Sequence, residues 1–326
     1  MVGILIIDDE EGVRRSLQRV LERDNYKLFL APDGKTGIKM VKENLYDIDI
    51  AISDLKMPGL DGLSTLIELN VINPQMTRIM LTGYATLENA INALNNGLDG
   101  YILKPFDNVE MRKNIRDCYL KKRLQQFISE QVFQELLAGS GALSPRRQKV
   151  TILFSDIRGF SAMTENMNPE EIPIFLSKHY FDPISAIVKK HGGTLDKHIG
   201  DGVMIIFGAP LSHSDDTARA IFSALEIRDY MRIHGENNKM PVGMGLNTGE
   251  VVTGVFGSVL KKEYTAFGNV VNIAAHLEKM AKGGDIFITE QTYQEVSEMV
   301  YVHEIGMVTI KNIKDPTKVY NIVGFK

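Results

Sequence analysis

Short apolar runs punctuate the first hundred residues: ILII at 4–7, KLFLA at 27–31, IAIS at 50–53, RIML at 78–81 and YIL at 101–103. Polar stretches of helical period separate them. Apolar runs this short read as strands buried on both faces, and strands alternating with helices predict a doubly wound, five-stranded parallel sheet. Ligands of such a sheet lie beyond the carboxyl ends of its strands. The residues that stop each run are therefore the ones to inspect: Asp8 and Asp9 after the first, Asp54 after the third, Thr82 after the fourth, and Lys104 after the fifth.

A single acid at a strand end is ordinarily a solvated turn residue. Three carboxylates with a hydroxyl and an ammonium are different, because clustered carboxylates repel unless a cation sits among them, and an all-oxygen cage suits Mg²⁺. An ionised aspartate beside that ion can accept a phosphoryl group, with Thr82 and Lys104 on the phosphoryl oxygens. The GKT at 34–36 is no phosphate loop, since Phe29 stands where the first glycine belongs. It is expected to open a helix.

The motifs DDE, DLKMPGLDG, LTGYA and YILKPF resemble the receiver domain of two-component response regulators, over residues 1–120. The resemblance implies phosphorylation at Asp54 by a cognate histidine kinase. It also implies Mg²⁺ arranged by Asp8, Asp9, Asp54 and the Lys56 carbonyl, and a switch running through Thr82, Tyr101 and Lys104.

Residues 107–138 hold no proline or glycine and read as one helix, within a helical linker spanning 107–140. Apolar residues in steps of three and four (Leu120, Leu124, Phe127, Ile128, Val132, Leu136) admit a coiled coil, although the charges at 121–123 break a heptad. A passive spacer is the alternative. Lys121, Lys122 and Arg123, like Arg146, Arg147 and Lys149, read as solvated faces.

Beyond the linker the pattern changes. KVTILFSDIRGFS reads as a strand ending at Asp156, and GGTLDKHIGDGVMIIFGAP as two strands joined at Gly200, Asp201 and Gly202. Aspartate and glycine are ordinary hairpin residues. Asp201 gains weight from Asp156, because two carboxylates brought together can hold the pair of divalent ions that two-metal phosphoryl transfer sets about 4 Å apart. PVGMGLNTGEVVTGVFGS reads as two strands around a glycine turn, EYTAFGNVVNIAAHLEKMA as strand, turn and helix, GDIFITE as a strand, and GMVTIKNIKDPTKVYNIVG as a terminal hairpin. The sum is an antiparallel sheet with helices on one face, a ferredoxin-like α+β arrangement. Asn272 and His276 lie one turn apart on its otherwise apolar helix.

The motifs FSDIRGF, KHIGDGVM, GLNTGEVVTGVFG and YTAFGNVVNIAAHLE resemble the class III nucleotide cyclase catalytic domain, over residues 141–326. The resemblance implies conversion of ATP to 3′,5′-cyclic AMP and pyrophosphate, with two Mg²⁺ or Mn²⁺ held by Asp156, Ile157 and Asp201. Substrate-binding positions fall on Phe160, Lys197, Thr265, Asn272 and Lys311, and catalytic ones on Asn272 and His276. Lys197 and Thr265 suit adenine, where guanylate cyclases of the family usually present glutamate and cysteine. His276 departs from the family, which has an arginine there for the transition state, so slow turnover is expected. The resemblance further implies a homodimer through the cyclase domain and linker. Each cleft then takes Asp156 and Asp201 from one chain and Lys197, Thr265, Asn272, His276 and Lys311 from the other. The alternative is a phosphorylation-dependent module that binds nucleotide or protein through a weak or inactive cyclase domain.

Composition adds boundaries. A chain of 326 residues holds about two domains of roughly 150 residues. Net charge −4 with pI near 6.0 gives no drive toward nucleic acid or anionic membrane. Cys118 is the single cysteine and no apolar run reaches spanning length, so a cytoplasmic protein without a membrane partner is expected.

Overall fold

Five parallel strands form the first sheet: β1 (Gly3–Ile7), β2 (Lys27–Ala31), β3 (Ile50–Asp54), β4 (Thr77–Thr82) and β5 (Gly100–Leu103), in the order β2-β1-β3-β4-β5. The computed structural model describes residues 1–326 apart from 46, 84–96, 125–127, 235–239, 311, 312 and 314. It resolves into two units, Met1–Phe127 and Ile128–Lys326.

The apolar runs are buried on both faces because alternate residues serve different helices. Leu5, Ile7, Ala51 and Met80 pack with α2 (Gly34–Glu43) and α3 (Gly62–Ile72). Ile4, Ile6, Ile50, Ile52, Ile79 and Leu81 pack with α1 (Glu11–Leu21) and α4 (Asn108–Leu124). Helices on both faces of a parallel sheet make the doubly wound fold predicted from the runs. Asp33 caps α2 by accepting the Thr36 N–H (2.8 Å) and hydroxyl (2.9 Å), which accounts for the GKT segment.

The predicted single helix over 107–138 is two helices. α4 ends at Leu124, and α5 (Glu130–Ala138) starts afresh at Ser129, whose extended backbone and side chain cap the Val132 N–H. Serine followed by an acidic first turn is a helix start. Each helix is tied to its own unit. Met111 and Ile115 of α4 are buried in the first core, while Val132 and Phe133 of α5 are buried and Gln131 bonds Gly192 and Thr194 in the second unit. Val132 is thus withdrawn from a continuous coiled-coil seam. The predicted solvated face at 121–123 also needs correction: Lys122 pairs with Asp99 (3.0 Å) and Arg123 with Asp49, pinning α4 to its own sheet.

The second unit is built on β6 (Arg146–Ile157), β7 (Thr194–Ile199), β8 (Gly202–Phe207), β9 (Val242–Gly257), β10 (Lys262–Phe267), β11 (Ile286–Thr289), β12 (Val300–Val308) and β13 (Thr317–Phe325). The order is β12-β13-β11-β9-β6-β8-β7, with β10 also on β9; all pairings are antiparallel except β11 with β9. The helices are α6 (Phe160–Thr164), α7 (Glu171–Leu176), α8 (Asp182–Lys190), α9 (Asp216–His234), α10 (Asn269–Met280) and α11 (Glu290–Val296), with a π turn at Ser177–Phe181.

Two predictions change here. The segment read as two strands around a glycine turn is one 16-residue strand, β9, paired with β6 from Arg146↔Thr253 to Ile157↔Val242. Its glycines make room, since a Cβ at Gly245 would lie 2.2 Å from the Glu278 backbone nitrogen of α10 and one at Gly249 would lie 2.8 Å from Val270. The helices also occupy both faces. Leu153, Val203, Ile205, Met244 and Leu246 share a core with α8 and α9, while Val150, Ile152, Met204, Ile206 and Val251 pack with Ala274 of α10.

Candidate active site

In the first unit the strand ends bring four of the predicted residues close. Asp8 follows β1 and is buried, Asp54 and Thr82 are the last residues of β3 and β4, and Lys104 follows β5. The Lys104 ammonium donates to Asp54 (2.5 Å) and Asp8 (3.0 Å), and the Lys56 N–H donates to the other Asp54 oxygen (2.8 Å). Gly62 opens α3 hard against Asp54, where a Cβ would lie 1.8 Å from its carbonyl oxygen. Burial pushes the Lys104 ammonium down, and its bonds to the two carboxylates carry it above the usual lysine value. Asp9 and Tyr101 are exposed. Among the described residues no three acidic, histidine or cysteine groups converge as a metal cage, and the Lys104 ammonium bridges Asp8 and Asp54. Both carboxylates keep lone pairs for a hard cation.

The second unit has its own acidic pair. Asp156, near the end of β6, stands opposite Gly202 of β8, and the left-handed Gly200 turns the chain so that Asp201 precedes that strand. The Asp156 carboxyl is pushed up to about 6, first by burial and then by the charges of Asp201 and Glu278. Arg158 and the Ile157 N–H pull it back. Arg158 joins two distant segments: it contacts Asp156 (3.0 Å), the Glu278 carboxylate (2.5 Å) and the Ala281 carbonyl (2.9 Å) at the end of α10. Asp156, Asp201 and the Ile157 carbonyl are oxygen donors of the kind that divalent ions of the Mg²⁺ class take, and the charge of Asp201 already acts on Asp156. The residues present fit such ions.

Lys197 and Thr265 lie on β7 and β10 and meet through Asp196. The pairing of β7 with β8 slips between Leu195 and Lys197, and this bulge interrupts the alternation that sends neighbouring side chains to opposite faces. As a result Asp196 Oδ2 accepts from the Thr265 hydroxyl (2.9 Å) and lies 3.6 Å from the Lys197 ammonium. Glu263 accepts from Lys197 at 3.2 Å. On α10, Asn272 is exposed and His276 half-buried, while Ala274, Leu277 and Glu278 are buried. The polar pair therefore occupies a flank, and the apolar residues between them fill the core. Phe160 is partly buried and packs against the core, and Lys311 lies outside the described residues.

The catalytic-domain model described as "Adenylate and Guanylate cyclase catalytic domain" matches residues 143–324, more than half the chain. The chain belongs to this cyclase family. Residues 4–116 match the response regulator receiver domain, so a receiver precedes the cyclase domain. Adenylate cyclase 1 of Rhizobium meliloti is 30% identical over 192 residues, 56% of this chain and 29% of that protein. Among solved structures, the adenylyl cyclase CyaB from P. aeruginosa is 32% identical (TM-score 0.54; 56% of this chain, 98% of the other). The guanylyl cyclase Cya2 is 35% identical (TM-score 0.53; 56% and 95%). The chain spans less than a third of the length of the curated cyclases it matches first.

Among the described residues, no hydrogen bond or ion pair joins Asp156 or Asp201 of the cyclase domain to Lys197, Thr265, Asn272 or His276. Reading the sequence missed three residues of this domain: Asp196, Arg158 and Glu278. All three sit inside or beside the motifs that carry the resemblance. Nothing in their spacing signals that Arg158 and Glu278 meet across 120 positions.

Proposed function

We propose that this chain is a homodimeric adenylate cyclase whose output is set by phosphorylation of Asp54, with a receiver over about residues 1–120 and a cyclase domain over 141–326. The observation that supports this reading is that Lys197 and Thr265 are joined through Asp196, while no hydrogen bond or ion pair among the described residues links them to Asp156 or Asp201. A two-fold dimer completes two equivalent clefts, each taking its acids from one chain and its base-reading residues from the other.

Asp156, Asp201 and the Ile157 carbonyl would hold two Mg²⁺ or Mn²⁺, which supply positive charge at the phosphates when bound. Lys197 donates to adenine and Thr265 accepts from its exocyclic amine, while Asn272 positions the ribose, Phe160 lines the cleft and Lys311 holds the triphosphate. The ribose 3′-oxygen then bonds to the α-phosphorus, pyrophosphate leaves, and the hydroxyl proton passes to solvent. His276, on the flank of α10, contacts the transferring phosphoryl group with fewer donors than arginine has, so turnover is slow.

In the receiver, Asp8, Asp9, Asp54 and the Lys56 carbonyl would hold Mg²⁺, and an Asp54 oxygen takes the phosphoryl group from a histidine kinase. Thr82, Tyr101 and Lys104 relay the change. The protein acts in the cytoplasm without nucleic acid or membrane. Cyclic AMP formation from ATP and Mn²⁺, measured with and without a small phosphodonor in wild type, Asp54→Ala and Asp156→Ala, tests this. Wild type is expected to form cyclic AMP, Asp156→Ala to form almost none, and only Asp54-bearing protein to respond to the donor. Product no greater than that of Asp156→Ala would leave the second reading, a nucleotide- or protein-binding module, which the histidine at 276 favours.

A further inference from the structure

We propose that Asp196 is a positioning residue that fixes the Thr265 hydroxyl as an acceptor beside the Lys197 donor, and so sets the preference for adenine. The inference rests on the adenine reading above. A threonine hydroxyl has one hydrogen and two lone pairs. Here the hydrogen is given to Asp196 Oδ2 at 2.9 Å, so the hydroxyl can only accept from whatever else it meets. The same Oδ2 lies 3.6 Å from the Lys197 ammonium, which can only donate. One buried carboxylate oxygen thus presents an acceptor and a donor side by side. Adenine offers a matching edge, an amine hydrogen at N6 and a lone pair at N1, whereas guanine offers a carbonyl oxygen at O6 and a hydrogen at N1.

Packing alone does not explain Asp196. Its side chain is 1% exposed, yet Oδ1 has no hydrogen-bond partner among the described residues, and a half-satisfied buried carboxylate is destabilising. The bulge that turns Asp196 toward Thr265 also breaks the β7–β8 pairing. Both costs become intelligible if the carboxylate acts on its two neighbours. Glu263 also pairs with Lys197, but from an exposed position and without touching Thr265, which makes it the natural control.

The test uses the full chain and non-cyclisable α,β-methylene ATP and GTP with Mn²⁺, read by titration calorimetry, so slow turnover does not matter. Wild type is expected to prefer the ATP analogue at least tenfold, and Asp196→Asn to reduce that preference about tenfold, since the amide can donate to Thr265 and free its hydrogen for O6 of guanine. Glu263→Gln should leave the ratio within about twofold. In a Thr265→Val background, Asp196→Asn should change the ratio no further; an equal change there would mean a structural effect and overturn the proposal. Thermal unfolding checks that each variant folds, and Asp196→Ser serves if the asparagine variant does not. Wild type that binds neither analogue, or both equally, defeats the adenine reading itself. A wild type that prefers ATP with an equally selective Asp196→Asn defeats the role of Asp196 alone.

Discussion

The receiver and cyclase domains both gather aspartates at strand ends, but they balance the charge differently. In the receiver, Lys104 reaches across 96 positions to touch Asp8 and across 50 to touch Asp54. The two acids and the lysine that offsets them all stand at strand ends of one sheet. In the cyclase domain, Asp156 is offset by Arg158 two residues on and by the Ile157 N–H, and its carboxyl is still pushed up to about 6. The one lysine assigned to its substrate that the structure describes, Lys197, is engaged elsewhere by Asp196 and Glu263. A site held within one chain can be switched by its own packing, whereas the divided cleft proposed for the cyclase would be switched by how the chains approach.

The sharpest way to break this contrast is complementation. Asp201→Ala and Lys197→Ala chains should each lose about 10² or more in cyclic AMP formation, yet when mixed and re-assembled they should recover about a quarter of wild-type activity. Half of the dimers are then mixed, and each carries one intact cleft. Mixing Asp8→Ala with Asp54→Ala should restore no phosphorylation at any ratio, which phosphoprotein gel mobility would show. A cyclase pair that fails to complement would put the whole site in one chain.

A smaller effect is expected at His276. Restoring the forked, permanently charged side chain with His276→Arg should raise turnover about tenfold at neutral pH, with less change in KM, as an interaction made mainly in the transition state requires. Steady-state rates with ATP and Mn²⁺ decide it. An unchanged rate would mean that the histidine is no handicap.

The smallest effect concerns the unbalanced carboxyl. Asp156 has its folded-state value raised from 3.8 to about 6, so the folded protein binds this proton more tightly than the unfolded chain. Its contribution to stability is fully present below about pH 4 and is lost as pH rises through 6. In metal-free protein, urea unfolding should therefore show wild type losing about 1–2 kcal/mol relative to Asp156→Asn between pH 4 and pH 7, with allowance for solvent screening. A parallel pH dependence in the two proteins would mean that Arg158 already balances the charge.

Much of this architecture was legible in the residues. The ILII and IAIS runs announce strands buried on both faces because they are short, rich in β-branched residues and recur between helical stretches, and the acids that stop them mark the carboxyl end of the sheet. Asp201 was readable as a hairpin tip from its flanking glycines. Ser129 was not read as a boundary, because apolar steps of three and four continue across it and conceal the cap. The glycines of β9 were read as a turn, although their purpose is to admit the backbone of α10, which comes from some thirty positions away.

Local pattern therefore determined which elements form and which chemical groups stand at their ends, since the backbone period and turn chemistry act over a few residues. Tertiary structure alone decided who meets whom: Lys104 with Asp8, Arg158 with Glu278 and the end of α10, and Asp196 with Thr265 across 69 positions. Such pairs are set by the register of a bulged strand and the seating of a helix on glycines. Those are properties of packing, and no short window of sequence contains both partners.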